Sequence, residues 1–136
     1  MNWKIIFQLS LFGFIMAVAT VSLIPEDIEP AFWLVIFVFS AWVIAKVCPG
    51  KYFLHGFLTA ILNCVWITAV HLIFRDAYLS HHPHVVSMNR DLPRHIARHR
   101  RLVMVITAPF FGLTFGIILG LFSFVASKIV KKNVLA

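Results

Sequence analysis

Four apolar runs, residues 5–24, 31–47, 52–74 and 102–130, occupy most of this chain and leave few folds open to it. A helix rises about 1.5 Å per residue, so roughly 20 apolar residues cross a hydrocarbon core about 30 Å thick. The second run is the shortest and needs Lys46, near its end, to carry its ammonium group back to the interface. The bilayer interior supplies no water for open backbone groups. Runs that are continuously apolar rather than alternating meet that demand as helices, not as barrel strands. Composition agrees: 61% of residues are hydrophobic and 12% charged, against about a quarter charged in a soluble domain. The expected fold is all-α, an integral membrane four-helix bundle forming one domain over residues 1–136.

The first run has a signal-peptide flavour, with Lys4 ahead of it and the small-x-small triplet Ala17-Val18-Ala19 inside it. The apolar character continues past that triplet through Ile24, so the run is read as a retained helix. Two connections are short, 25–30 and 48–51. Only the third, the His/Arg-rich loop 75–101, has room for a site.

In any four-helix crossing, both termini and the second connection share one side. That side holds Lys4, Lys46, Lys51, Lys128, Lys131 and Lys132 and no acid. The other holds Arg75, Arg90, Arg94, Arg98, Arg100 and Arg101 with every carboxylate: Glu26, Asp27, Glu29, Asp76 and Asp91. Basic residues alone tie, six against six. Carboxylates within reach of the arginines reduce their pull on anionic lipid, which places the lysine side, and both termini, in the cytoplasm of a bacterial inner membrane. A tie also suits dual insertion, as in small multidrug exporters, but no Asp or Glu falls inside any of the four runs to couple protons.

Within the membrane, Asn63 near the centre of the third run is expected to bond across to a neighbouring helix. His55 and His71 lie toward opposite ends of that run, about 24 Å apart, too far to share one metal or haem. In the fourth run, "APFFGLTFGIILG" sets Ala108, Gly112, Gly116 and Gly120 four residues apart. That spacing keeps small residues on one helix face, where another backbone can approach closely. The face is a docking groove for a helix of this chain or of another subunit.

The stretch "SHHPHVVSMNRDLPRHIARH" carries five of the seven histidines. Asp91-Leu92-Pro93 has the form of a helix start, with Arg94, Arg98 and Arg101 on one stripe, His95 and His99 on the next, and the helix continuing into Leu102. The expected role is at the headgroups, Arg94, Arg98, Arg100 and Arg101 resting on lipid phosphates or on Glu26, Asp27 and Glu29. The rival is a metal site: His95 and His99 one turn apart, joined by His81, His82 and His84. The histidine boxes of membrane di-iron hydroxylases and desaturases differ, because this chain has one H-x-x-x-H and no H-x-x-H-H. Four arginines beside the cluster also oppose a dication, so no metal and no cofactor is favoured.

Cys48 and Cys64 form no CxxC pair, and no phosphate loop or serine triad is visible. The basic pI belongs to lipid and acidic neighbours rather than to nucleic acid. The segments "LSHHPHVVSMNR" and "APFFGLTFGIILGLFSFVASKIVKK" resemble small uncharacterised four-helix bacterial membrane proteins, a resemblance that implies the four-helix plan and no activity. The expectation is a small non-enzymatic membrane protein, an accessory or assembly subunit that docks through its glycine face into a homo-oligomer or larger membrane complex. The alternative is a metal-binding or metal-handling membrane protein using the histidine loop.

Overall fold

The computed structural model describes residues 1–90, 93, 96 and 98–130, without the side chains of residues 88, 89 and 100. The described residues form six helices and no strand. They are α1 Trp3–Ser22, α2 Glu29–Val47, α3 Tyr52–Ile73, α4 Arg75–His81, α5 Pro83–Arg90 and α6 Arg100–Ile129. Four of them, α1, α2, α3 and α6, are long and apolar enough to cross a membrane.

Local chemistry explains the ends. Asn2 caps α1, its side-chain oxygen accepting the amide of Ile5 at 3.3 Å. At the other end, Pro25 disfavours helical backbone at Ile24, and α1 stops at Ser22. Helix α2 starts two residues earlier than the apolar run, because Glu29 suits the positive end of the helix dipole and Pro30 forgoes only an amide that had no intrahelical partner. Lys51, with φ 53°, turns the chain tightly into α3.

The third connection departs from its reading as a loop, since α4 and α5 occupy 75–81 and 83–90. The helix expected to run from Asp91 into Leu102 is interrupted at His99, and its expected start at Asp91 lies outside the described residues. Around 93–99 the amides of Ile96 and His99 bond three residues back, to Pro93 and Ile96, at 2.9 Å each. His99 has non-helical φ and ψ of −115° and 40°, and α6 begins after it. This tight i−3 bonding ends the turn before α6, so Arg98 and Arg101 stand on opposite sides of a break rather than on one stripe.

Helix order in space differs from order in sequence. Helix α3 lies between α1 and α6, α2 packs mainly on α6, and the consecutive pairs α1–α2 and α2–α3 touch little. Contacts between α1 and α3 run in parallel register: Asn2 with His55, Gly13 with Asn63, Thr20 with His71. The buried faces are built from small residues, Ser10, Gly13, Ala17 and Thr20 on α1 and Gly56, Thr59, Ala60 and Asn63 on α3. Large side chains such as Phe7, Ile15, Val35 and Phe110 point outward. In lipid this inversion is the economical arrangement: apolar bulk gains little by hiding from other apolar bulk, whereas small residues let backbones gain van der Waals contact.

Candidate functional site

Two regions repay close inspection: the glycine row of α6 and the polar cap opposite the termini. The row faces α3 of the same chain. A methyl group on Gly116 would lie 2.8 Å from a ring carbon of Phe57, one on Gly120 2.7 Å from the ring of Phe53, and one on Gly112 3.4 Å from Cys64 and Ile61. Ala108 continues the contact through its carbonyl, which accepts the Cys64 thiol at 3.1 Å. Phenylalanine rings fill the row, so it has no room for a helix of another subunit.

The closest approaches lie elsewhere. A methyl on Gly56 would collide with Ser123 Oγ and stand 2.5 Å from the Leu119 carbonyl oxygen; one on Gly13 would stand 2.7 Å from the Asn63 Cα. Here backbone meets backbone, which leaves nothing flexible to yield. Sequence reading missed both, although Ser10-x-x-Gly13-x-x-x-Ala17-x-x-Thr20 and Gly56-x-x-Thr59-Ala60-x-x-Asn63 carry a small-residue stripe at helical spacing. Asn63 does pack on α1, but not as expected: both its side-chain polar atoms are buried without a hydrogen-bond partner, as is Ser40 Oγ. Pressed against Gly13, the amide is positioned for packing and not for bonding.

At the polar cap, α4 lays Tyr78 between two imidazoles. Ring centroids of His71 and Tyr78 are 3.9 Å apart and those of Tyr78 and His82 are 4.0 Å apart, both nearly parallel. His71 Nε2 sits 3.1 Å from Thr20 Oγ1, whose own hydrogen goes to the Ala17 carbonyl at 3.1 Å. His71 therefore donates through Nε2. His82 Nδ1 is 2.8 Å from the Tyr78 carbonyl oxygen. A carbonyl only accepts, so Nδ1 carries the hydrogen. The other ring nitrogen, Nε2, is buried with no hydrogen-bond partner and lies 3.6 Å from Glu29 Oε2. Glu29 is itself held, its Oε1 accepting the Trp33 indole N–H at 3.0 Å. Burial, and then the nearby carboxylates Glu29 and Glu26, push the Tyr78 phenol up to about 12, so it stays neutral.

Glu26 completes the cap with α5, accepting the His84 amide at 3.2 Å and lying 3.7 Å from His84 Nδ1. Asp27 is exposed. Glu26 and Glu29 thus meet histidines rather than arginines: among the described residues no carboxylate comes within ion-pair distance of Arg90, Arg98 or Arg101, and Asp76 pairs with Arg75 at 3.1 Å. Helices α4 and α5 bring the histidine segment over the 25–30 connection. Arg94, His95 and the side chain of Arg100 are outside the described residues.

The other histidines are spent singly. His81 Nδ1 bonds the Ala77 carbonyl at 3.0 Å, and His99 is exposed at the head of α6. Among the described residues, no three of the His, Cys, Asp and Glu side chains come together as a metal set. Of the described loop histidines, the fold singles out His82, and its neighbour Tyr78 had no signal in the sequence beyond its i−4 spacing from it. The arrangement sets an unpartnered imidazole nitrogen beside a carboxylate oxygen, backed by an aromatic stack. No protein-family model, curated protein or solved structure matches the chain.

Proposed function

We propose that this is a small non-enzymatic protein of a bacterial inner membrane, an accessory or assembly subunit with its lysine-bearing termini in the cytoplasm. The observation that carries the reading is the state of α6. Its second half is built into the bundle through Gly112, Gly116 and Gly120, while its first half leaves Leu102, Val105, Ile106, Phe110 and Phe111 exposed, Phe110 at 69%. It is the least covered of the four spanning helices. Because α3 takes the glycine row, docking of a partner subunit moves to this uncovered half, next to the arginines at its head. Aromatic side chains there offer a partner helix a large contact area at small entropic cost.

The test is a photo-crosslinking residue at Phe110, compared with one at Phe39 on the outer face of α2, both activated in native membranes. A discrete protein adduct from position 110 and none from 39 supports the subunit reading. Lipid adducts alone at both positions, with a monomer on native mass measurement in mild detergent, overturn it. Reporter fusions at Ala136 that are active only outside the cytoplasm would reverse the orientation.

A further inference from the structure

We propose that His82 and Glu29 form a proton-operated latch that fastens the α4–α5 cap to the head of α2. The inference stands on geometry at the cap and is independent of the subunit reading above.

In its neutral form His82 is committed to one tautomer, because Nδ1–H donates to the Tyr78 carbonyl at 2.8 Å. Its Nε2 then presents a lone pair to Glu29 Oε2 across 3.6 Å, with the imidazole 1% exposed. Nε2 is closed to water and finds no donor, while Oε2 faces it from a carboxylate that is 22% exposed; an unpaired buried nitrogen is a costly arrangement. One proton placed between them, whichever atom carries it, turns the contact into a charge-assisted hydrogen bond. Glu29 need not reorient, since its other oxygen already holds Trp33 at 3.0 Å. A movement of less than about 1 Å brings Nε2 and Oε2 to the 2.7–2.9 Å of such a bond.

Titratable groups surround the pair on every element packed against it. Glu29 at the head of α2 and Glu26 in the preceding connection are both anionic neighbours, and Glu26 also faces His84 of α5. On α4, Arg75 is paired with Asp76. On α3, His71 stands behind Tyr78 and is engaged with Thr20 of α1. The Tyr78 phenol, pushed up to about 12, stays neutral and does not compete. Histidine is the side chain that ordinarily changes charge between about pH 5 and 8. The latch is therefore closed at the acid end of that range and released as pH rises, loosening α4 and α5 from the 25–30 connection. A protein with this device reads proton concentration on the side opposite its termini.

The test is hydrogen–deuterium exchange of backbone amides in residues 75–90, on the full chain in lipid nanodiscs, from about pH 5 to 8 and corrected for intrinsic exchange. Wild-type protein should show roughly tenfold more protection at the acid end, the scale of one charge-assisted hydrogen bond. In Glu29→Gln the amide N–H₂ donates to the lone pair of Nε2 without any added proton. That variant should hold the protected state across the whole range. His82→Phe keeps the ring on Tyr78 and should lose the pH dependence, while His84→Gln and His71→Gln should keep it. Protection independent of pH in the wild type overturns the latch, as does dependence that survives His82→Phe. Should His82→Phe fail to fold, the Glu29→Gln profile decides alone: exchange like that of wild type at high pH sinks the proposal.

Discussion

His55 and His82 sit at opposite ends of the bundle and are almost equally buried, at 1% and 0%. Each sends Nδ1–H to the carbonyl four residues earlier, Lys51 or Tyr78, at 2.8 Å. They differ in the second nitrogen. His55 Nε2 accepts the Asn2 amide at 2.9 Å and thereby helps hold the start of α1 against α3. His82 Nε2 accepts nothing. Burial thus fails to tell a structural histidine from a functional one, and accounting for each ring nitrogen succeeds. The two ends are also built differently. Beside His55, Gly56 lets the α3 and α6 backbones touch; beside His82, ring stacking and one carboxylate join the elements.

If the His55 end is the rigid one, Gly56→Ala should be the most damaging small change. Its methyl meets the Leu119 carbonyl, and overpacking of this kind costs about 3 kcal/mol. Thermal unfolding in detergent should show it, whereas Gly50→Ala, with nothing within 4 Å, should melt like the wild type. Gly116→Ala meets chiefly the edge of the Phe57 ring, which can shift, with the Phe57 carbonyl at 3.4 Å, and should cost about 1 kcal/mol.

The histidines themselves sharpen the contrast. His55→Leu strands the Asn2 amide, while the Lys51 carbonyl keeps the backbone amide of residue 55, and should cost about 2 kcal/mol. His82→Leu removes one hydrogen bond together with an unpaired nitrogen, so above about pH 8 its loss should stay under about 1 kcal/mol. Equal losses in chemical or thermal unfolding would erase the distinction between the two ends.

Midway between them, Asn63 buries two polar atoms without partners. Asn63→Leu has nearly the same shape and should raise stability by about 1 kcal/mol, seen as a higher melting temperature. A fall would mean that the amide is bonded in the membrane.

The last effect, at Tyr78, is seen only at alkaline pH. Its phenol is raised from about 10 when unfolded to about 12, so the stability tied to the neutral phenol is complete below about pH 10. It is lost as pH rises from there through about 12. Tyrosinate absorbance should show one late-titrating phenol that Tyr78→Phe removes.

The four spanning helices were legible because their signal is composition over about 20 residues, which tertiary contacts do not alter. The ends shifted by a turn or less, where Asn2 and Glu29-Pro30 act locally. The glycine row was visible as a pattern, but its occupant was not: Phe53 and Phe57 belong to a helix whose position no periodicity encodes. The cap was the least legible part. Its pairing of Glu26 and Glu29 with histidines instead of arginines depends on where α4 and α5 fold back, and short helices of mixed polarity carry little signal.

What the sequence determined by itself was the medium and the number of crossings, because the cost of an open backbone in lipid leaves a 20-residue apolar run one solution. It determined, too, that small residues would lie inside. The tertiary structure alone decided that α3 is the central helix, that α1 and α3 run in parallel contact, and that the buried His82 faces Glu29 with its Nε2 unpartnered. Those outcomes depend on shape matching between stripes of glycine, alanine and serine that look alike in the sequence. Their partners are chosen by which backbones can approach closest, and that choice exists only once the helices are side by side.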